Sequence, residues 1–419
     1  MTLPSVAIAI RPDVPFASVG TAVLGTVKLG SFVNGGTPMI LGPLANPFVQ
    51  IEGVANNISI KRGRTRITDS FDSGTATITV LDRTGQFNPD NISSNLYPYV
   101  LPMRQLRITA TVNSQLVQLF NGFTTSYTYD YDPSNQVTYV TITAEDAFRV
   151  LNMAGIEIIS GSVYGEKSGV RIGLILTGLA IPNTLKAIST GQSSLDLDDD
   201  TTRTALEAIQ TIEATEGGAY FIDTDGIHTF LDRHEVQKLA SGVTVAPIVF
   251  NETSGLPYIG IEQSFDDQQV FNDITITGAG INDQNVSDAT SQLAYFKRSM
   301  TKSGSLSIDD TESLGQANLI LNSRKDASLN IESITCLPLS MTSAQAYSVC
   351  NLDVLEPITV AKTYATQTVS RTLTAQSIEH SITPSSWQVS FGLSEPLGGD
   401  AFILDSTPMG ILDTNLLSY

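Results

Sequence analysis

The chain has 419 residues and a mass of 44.8 kDa, enough for two or more domains with a large core. Charged residues make up only 16%, and the formal net charge is −19. A chain of this charge repels nucleic acid instead of binding it. With 7% aromatic residues and one tryptophan, it also has few side chains for stacking on sugars. Nucleic-acid binding and sugar binding are therefore disfavoured.

The termini and the cysteines indicate a soluble or particle-borne protein. The start, Met-Thr-Leu-Pro-Ser-Val, has no basic stretch before an apolar run, so we expect no signal peptide. The longest apolar tract, residues 170–181, is too short and too rich in glycine to span a bilayer. Cys336 and Cys350 are too few for a zinc site and too far apart for a CxxC motif. We expect buried free thiols or, alternatively, a single disulfide.

Composition and periodicity divide the first half of the chain into three parts. Residues 1–47 are rich in glycine and proline and predict an extended arm that orders against a neighbour. Residues 48–152 show period-two alternation, as at Ala76, Ile78 and Val80, and predict a β-barrel domain that ends in a short helix. Residues 153–235 combine a helix and a hairpin and predict a small α+β domain.

The second half returns to strands. Residues 236–282 and 357–397 predict a second β-barrel domain, residues 283–356 an inserted α+β domain, and residues 398–419 a C-terminal tail. The sequence thus predicts a mainly β fold with α+β parts, built from two β-barrel or sandwich domains and a smaller α+β domain.

An internal similarity links the two predicted β domains. Residues 123–131, the turn Asp132-Pro-Ser-Asn and residues 136–145 have a counterpart in residues 373–382, the turn Thr383-Pro-Ser-Ser and residues 387–395. Each consists of a long strand, an X-Pro-Ser turn and an alternating strand that ends in Glu. Either two unrelated hairpins share a common turn, or the chain carries two copies of one small β domain.

Motifs for catalysis and metal binding are lacking. His228, His234 and His380 are the three histidines, and none has the spacing of a metal ligand. The sequence contains no GxSxG elbow, no glycine-rich phosphate loop and no HExxH motif. The sequence therefore predicts a protein that is not an enzyme and needs neither metal nor cofactor.

An acidic run from Asp196 to Asp200 resembles a calcium loop. Thr201 occupies its sixth position, where a calcium loop needs glycine for a sharp turn. We expect Asp200 or Thr201 to cap the helix that follows, with the carboxylates near its positive end.

Several motifs in a fixed order resemble the first domain of bacteriophage tail hub proteins. An alternating strand leads into Asp-x-x-Gly-x-Phe-x-Pro, followed by Leu-Phe-x-Gly and by a strand that closes in Ala-x-Asp. A late strand and the C-terminal sequence are similar to minor tail proteins of siphophages. The positions that match the family are Asp82, Gly85, Phe87, Pro89, Phe120, Gly122, Asp146, His380, Trp387, Asp405 and Gly410.

The resemblance implies a structural protein of the virion, located at the phage tail tip. In this family a homotrimeric ring contributes two tube-like domains per subunit and so joins a sixfold tube to a threefold tip. Implied partners are the tail tube or distal tail protein above and fibre, spike or tip proteins below. Viral DNA would pass through the lumen without specific binding, so we expect lumen positions to carry Asp, Glu, Ser and Thr.

Two alternative functions and one local question are left open by the sequence. The chain is alternatively a receptor-binding tail adhesin, or a hub or spike component of a phage-like secretion machine. Residues 86–95, after the turn at Asp82, are expected to form a rim loop with Phe87 as its core anchor. This loop either contacts a neighbouring protein or folds back on its own domain.

Overall fold

The computed structural model describes residues 5–10, 32–33, 37–38, 49–50, 55–94, 96–97, 100–198, 200–364, 367–397, 401–402 and 416–417. The motif positions Asp405 and Gly410 lie outside the described residues. Strands predominate over helices, and the prediction of a mainly β fold with α+β parts is confirmed.

The described elements are 25 strands and seven α-helices, besides two short 3-10 helices. The strands are β1 (Ser5–Ile10), β2 (Phe32–Val33), β3 (Thr37–Pro38), β4 (Val49–Gln50), β5 (Ala55–Gly63), β6 (Asp72–Asp82), β7 (Gln105–Val112), β8 (Gln115–Asp132), β9 (Val137–Glu145), β10 (Gly155–Ile156), β11 (Lys186–Ile188), β12 (Arg203–Thr204), β13 (Ala219–Ile222), β14 (His228–Leu231), β15 (Ile248–Phe250), β16 (Gly260–Ser264), β17 (Asp273–Gly278), β18 (Gln284–Ser287), β19 (Ser299–Ser305), β20 (Asn330–Cys336), β21 (Pro357–Tyr364), β22 (Gln367–Thr383), β23 (Ser386–Ser394), β24 (Ala401–Phe402) and β25 (Leu416–Leu417). The helices are α1 (Phe148–Met153), α2 (Ser168–Gly178), α3 (Ala205–Glu216), α4 (Arg233–Ala240), α5 (Ala289–Tyr295), α6 (Asp310–Arg324) and α7 (Ser343–Cys350). Among the described helices, none has the length and apolar character that crossing a membrane requires.

A 13-stranded sheet lies at the centre of the molecule. Its order is β16-β20-β23-β22-β5-β6-β9-β8-β7-β1-β4, with β21 beside β22 and β15 beside β21. Along β6, buried Ala76, Ile78 and Val80 alternate with less buried threonines, and β9 and β23 alternate in the same way. Because neighbouring side chains of a strand point to opposite faces, the sheet has one apolar and one polar face.

Two five-stranded antiparallel units of identical topology make up most of this sheet. The first has the order β5-β6-β9-β8-β7, and the second has β16-β20-β23-β22-β21. Their longest strands, β8 and β22, contain 18 and 17 residues. Each long strand is bulged against its hairpin partner, between Thr124 and Ser126 and between Ala375 and Ser377. The internal similarity is therefore a repeat of a whole unit, and more than a shared turn.

The same backbone irregularity precedes the last edge strand of each unit. Met103 and Leu355 both have a positive φ, 61° and 66°. The N–H of Met103 donates to the carbonyl of Thr124 at 2.7 Å, and that of Leu355 donates to the carbonyl of Ala375 at 2.6 Å. Since such a conformation is uncommon outside glycine, its recurrence at equivalent places supports the repeat.

Direct strand pairing joins the two units. β5 pairs antiparallel with the C-terminal half of β22 over six residue pairs. Arg62 crosses this junction by donating to the carboxylate of Asp353 at 2.7 Å and to the carbonyl of Ile222 at 2.9 Å. Gly63 has φ +108°, and a Cβ there would overlap the carbonyl oxygen of Gln376. The close approach of the two strands therefore requires glycine at this position.

The N-terminal strand packs on its own chain. β1 pairs antiparallel with β7 along its whole length, and Ile8 and Ile10 are buried. The composition of residues 1–47 predicts an arm that orders against a neighbour, but residues 5–10 add a strand to the first unit, between β7 and β4. Their alternating apolar side chains explain this placement, since they extend the apolar face of the sheet.

The inserted unit differs in extent from the predicted residues 283–356. β17, β18 and β19 form a small separate sheet. Its own core, shared with α6, consists of Ile274, Ile276, Ala317, Ile320 and Leu321. β20 belongs instead to the central sheet between β16 and β23, because Ile331, Ile334 and Cys336 pack into the main core. The insertion therefore runs from β17 to α6.

The cap of α3 is Thr204, so the prediction of Asp200 or Thr201 is wrong. The Thr204 hydroxyl accepts from the N–H of Glu207 at 3.1 Å, and the Glu207 carboxylate accepts from the N–H of Thr204 at 2.8 Å. This reciprocal arrangement is a capping box. Residues 203–204 pair with β10 as strand β12, so the helix cannot begin earlier.

Both cysteines are buried free thiols. Burial raises the pKa of Cys336 and of Cys350 to about 12. Thiols that are buried and fully protonated are poor nucleophiles, so these two side chains serve as apolar packing groups.

A buried histidine–tryptophan pair lies beside the junction of the two units. The indole N–H of Trp387 donates to Nδ1 of His380 at 3.3 Å, and His380 is the strand partner of Ile60 in β5. Burial, and to a lesser extent the positive charge of Arg62, lowers the pKa of His380 to about 3. This imidazole is therefore neutral in the folded protein at any pH well above that value.

Acidification is expected to destabilise the protein through His380. Its folded pKa lies below the unfolded value, so only the unfolded chain binds the proton between about pH 6.5 and 3. The stability advantage of the wild type over His380→Gln should therefore shrink by about 2 kcal/mol between roughly pH 7.5 and 5. Urea titrations followed by the fluorescence of Trp387, the single tryptophan, measure this difference. Exposed Gln388, changed to Ala, should show a pH-independent difference, and a constant difference for His380→Gln would contradict the prediction.

Candidate functional site

Asp82 closes the turn that ends β6. Its buried carboxylate accepts from the N–H groups of Thr84 and Gln86 at 3.1 Å each, and from that of Phe87 at 3.0 Å. Gly85 has φ +69°, a left-handed conformation that suits glycine. The Asp-x-x-Gly-x-Phe motif is therefore a turn that directs Phe87 into the core, where it is fully buried.

The described part of the predicted loop, residues 86–94, is anchored on its own domain at its base. The hydroxyl of Tyr129 donates to the carbonyl of Phe87 at 2.8 Å, and the hydroxyl of Ser94 donates to the carbonyl of Gln86 at 2.6 Å. Pro89 and Ile92 lie exposed beyond these contacts. The base of the loop thus folds back on its own unit, while its tip presents apolar surface to the outside.

Gly122 allows β8 to approach the end of β9. A Cβ at this position would overlap the carbonyl oxygen of Glu145 and would lie 2.7 Å from Cζ of Phe120. Phe120 is itself buried in the main core. The Leu-Phe-x-Gly motif is therefore explained by packing, because only glycine fits between the ring and the neighbouring backbone.

Asp146 connects the start of β6 to the start of α1. Its carboxylate accepts from the N–H of Gly74 at 2.6 Å, from the N–H of Phe148 at 2.9 Å and from the hydroxyl of Ser73 at 3.2 Å. Burial raises the pKa of Asp146 to about 7, although these hydrogen bonds and the charge of Arg62 oppose the shift. All its close partners are structural, so Asp146 holds two elements together.

The motif residues do not converge on one place. Asp82 and Asp146 lie at opposite ends of the first unit, because β6 begins next to Glu145 of β9 and ends next to Thr138. His380 and Trp387 lie in the second unit. Asp82, Gly85, Gly122 and Asp146 shape turns, strand ends and close approaches, whereas Phe87, Phe120, His380 and Trp387 are buried packing residues.

The polar face of the central sheet is a second candidate surface. Cross-strand partners place hydroxyl side chains side by side, as in Ser126–Thr143 at 2.8 Å and Thr335–Ser390 at 2.7 Å. The hydroxyl residues on this face are Ser59, Thr75, Thr77, Thr79, Ser126, Thr128, Thr141, Thr143, Ser333, Thr335, Ser381 and Ser390. They extend across both units, because β5 and β22 bring the two polar faces into one surface.

Charged side chains interspersed among these hydroxyls are mostly acidic. Strand register places Asp130, Glu262 and Glu379 on the polar face together with Lys61. The Lys61 ammonium lies 3.0 Å from the Glu379 carboxylate, and both side chains are exposed. A surface of hydroxyls and carboxylates offers few contacts to a polyanion and repels it at long range.

A cavity of about 540 Å³ lies between the middle domain, the inserted unit, the second unit and the connection from β5 to β6. It contains a cluster of charged groups formed by buried Arg64 and Glu213 and half-buried Lys302. Burial raises the pKa of Glu213 to about 7, while Arg64 and Lys302 oppose this shift. Across the described ranges, no three His, Cys, Asp or Glu side chains are grouped to hold a metal ion. Two cationic groups and one carboxyl group therefore lie close together inside the cavity.

Comparison with known proteins identifies this architecture. No protein-family model and no curated protein matches the chain. The tail protein from Neisseria meningitidis MC58 is similar in structure, with a TM-score of 0.57 at 10% identity over 93% of this chain and 96% of that chain. The 43 kDa tail protein of prophage MuSo2 from Shewanella oneidensis has a TM-score of 0.52 at 12% identity over 83% of this chain and 95% of that chain. The chain has a phage tail-protein fold. At this identity the similarity establishes the fold alone, and the resemblance found in the sequence is confirmed to that extent.

Gly122→Ala is expected to lower the free energy of unfolding by about 1–3 kcal/mol, because the added methyl overlaps the Glu145 carbonyl. Gly173→Ala in α2 is the control, since a Cβ there meets nothing within 4 Å and alanine favours a helix. Urea titration of both variants measures the effect. Equal stability of the two variants would show that the tail-protein fold does not need glycine at residue 122.

Proposed function

We propose that this chain is a structural, non-enzymatic hub subunit at a phage tail tip or baseplate. Three copies form a ring that caps the hexameric tail tube or distal tail protein and lines the DNA exit channel. The same ring anchors fibre, spike or tip proteins on its other side. The observation that carries this proposal is the repeated five-stranded unit, joined within one sheet.

The repeat suits a change of symmetry. Three copies of a chain with two equivalent units present six similar surfaces to a sixfold tube. Other parts occur once per chain in the described structure, namely the middle elements from α1 to β14 and the insertion from β17 to α6. Elements present once per chain repeat three times in such a ring, so they supply the threefold side.

The polar face of the sheet suits the wall of a DNA channel. Its hydroxyl rows cross both units, and the carboxylates of Asp130, Glu262 and Glu379 are interspersed among them with Lys61. Phosphate groups passing such a wall meet repulsion and few hydrogen-bond donors of positive charge. DNA is then guided along the axis without being retained.

The purified protein is expected to be a trimer with a mass close to three times 44.8 kDa. Light scattering over roughly 1–100 μM protein, combined with averaged electron micrographs of top views, measures mass and symmetry. The averages should show six similar densities around a central hole. A monomer over the whole concentration range, or a ring of another copy number, would contradict the proposal.

A further inference from the structure

The two long strands differ in how their C-terminal halves are paired. In the second unit this half of β22 has β23 on one side and β5 on the other. In the first unit, the described residues place β9 beside the same half of β8 and no strand on its other side. β16 is the equivalent of β5, and within the described sheet it ends the strand order next to β20. Each chain thus has one complete junction, β5 with β22. It also has the two strands of a second such junction, β8 and β16, which do not pair with each other in the described structure.

Rows of strand partners establish the equivalence residue by residue. In the first unit, successive partners across the sheet are Ile58, Ile78, Ile142 and Tyr127. In the second unit, the corresponding row is Ile261, Ile334, Phe391 and Ile378. The matching bulges keep this alignment along both hairpins. Ile261 therefore corresponds to Ile58, and Tyr131 corresponds to Ile382.

Side chains on the unpaired half of β8 are exposed where their equivalents are buried. His380 and Ile382 in β22 are 5% and 7% exposed, whereas their equivalents Tyr129 and Tyr131 are 43% and 60% exposed. β22 is covered at this point by β5, and β8 has no such neighbour among the described strands. Tyr129 and Tyr131 are therefore more exposed because β8 lacks the neighbouring strand that β5 provides for β22.

The edge of β16 shows the complementary feature. Ile261 is only half-buried, whereas its equivalent Ile58 in β5 is fully buried. Ile259, just before β16, and Phe265, just after it, are large apolar side chains that lie exposed. An exposed strand edge flanked by apolar side chains favours pairing with another strand.

We propose that the C-terminal half of β8 in one subunit pairs antiparallel with β16 of the next subunit, with Tyr131 opposite Ile261. This register repeats between chains the pairing of Ile382 with Ile58 within the chain. The partner of each edge is a second copy of this protein. The β8 edge is complementary to the β16 edge, and neither edge is complementary to another copy of itself. Such a head-to-tail contact closes a ring, and the inference rests on the proposed trimer.

The same register brings two carboxylates together on the polar face. Asp130 lies opposite Glu262, at the places of Ser381 and Ser59 in the junction within the chain. Like charges directly opposite each other weaken a strand pair. We therefore expect added salt to strengthen association, and Glu262→Lys to strengthen it further by creating the arrangement that Lys61 and Glu379 already have.

Disulfide cross-linking tests the register. Strand partners have Cα atoms about 4.5–5.5 Å apart, which a disulfide can bridge. A protein with Tyr131→Cys and Ile261→Cys should form covalent trimers on mild oxidation, while buried Cys336 and Cys350 stay reduced. The control combines Tyr131→Cys with Glu262→Cys, which is one residue out of register and on the opposite face. Its cross-linked fraction should be at least about tenfold lower.

A surface substitution tests the contact without cross-linking. Tyr131→Asp should raise the protein concentration at which half the trimer dissociates by at least about tenfold. Tyr164→Asp is the control, because Tyr164 on the middle domain is 61% exposed, against 60% for Tyr131. It should leave the dissociation concentration unchanged. Both variants should keep the wild-type urea midpoint as monomers, since neither side chain is buried in the isolated chain.

The outcomes separate this inference from the proposed function. A trimer that cross-links in register and dissociates through Tyr131→Asp supports both. A trimer without a cross-link between the substituted positions overturns the β8–β16 junction but leaves the hub intact. A protein that is monomeric at every concentration overturns both.

Discussion

The antiparallel pairing of β5 with β22 is the contact on which the rest of the structure depends. It converts two separate five-stranded units into one sheet, with a common apolar core on one side and a common polar surface on the other. Arg62, Gly63 and His380 all lie at this contact, and each fits only because the two backbones run side by side. Without it, each unit would expose an unpaired strand edge beside an apolar face.

Local patterns predicted most strands, whereas their partners depend on contacts distant in sequence. Alternation identifies β6, β9 and β23, and the repeated X-Pro-Ser turn identifies both long hairpins. Alternation alone does not assign β1 to the first unit or β20 to the second, because a strand with period-two alternation can pair with many other strands. The spacing from Thr204 to Glu207 is that of a capping box, whereas the acidic run upstream favours an earlier cap.

The sequence predicts which types of residue form the candidate site, but it does not predict their partners or positions. Sequence motifs pick out Asp82, Gly122 and Asp146, but the reasons for these residue types lie in partners such as the Glu145 carbonyl and the Gly74 N–H. Composition predicts a polar surface of Ser, Thr, Asp and Glu. Which residues form that surface depends on the strand register, because the register decides which threonines lie side by side. A charge of −19 describes the chain as a whole and says nothing about which face carries it.

The two kinds of junction face different physical demands. The contact between β5 and β22 lies within one chain, so Ile382 and a neutral His380 are buried in every folded molecule. In the proposed ring, by contrast, the edge of β8 would be exposed to water in the monomer and become buried only when a second copy pairs with it. Tyrosine suits both conditions, because its ring contributes apolar area on burial and its hydroxyl can form a hydrogen bond, as that of Tyr129 does with the carbonyl of Phe87. The carboxylates of Asp130 and Glu262 would oppose indiscriminate pairing of these edges, as charges do on other exposed strands. In the proposed ring, Tyr129 and Tyr131, at the places of His380 and Ile382, would therefore stay partly exposed in the folded monomer and become buried on assembly.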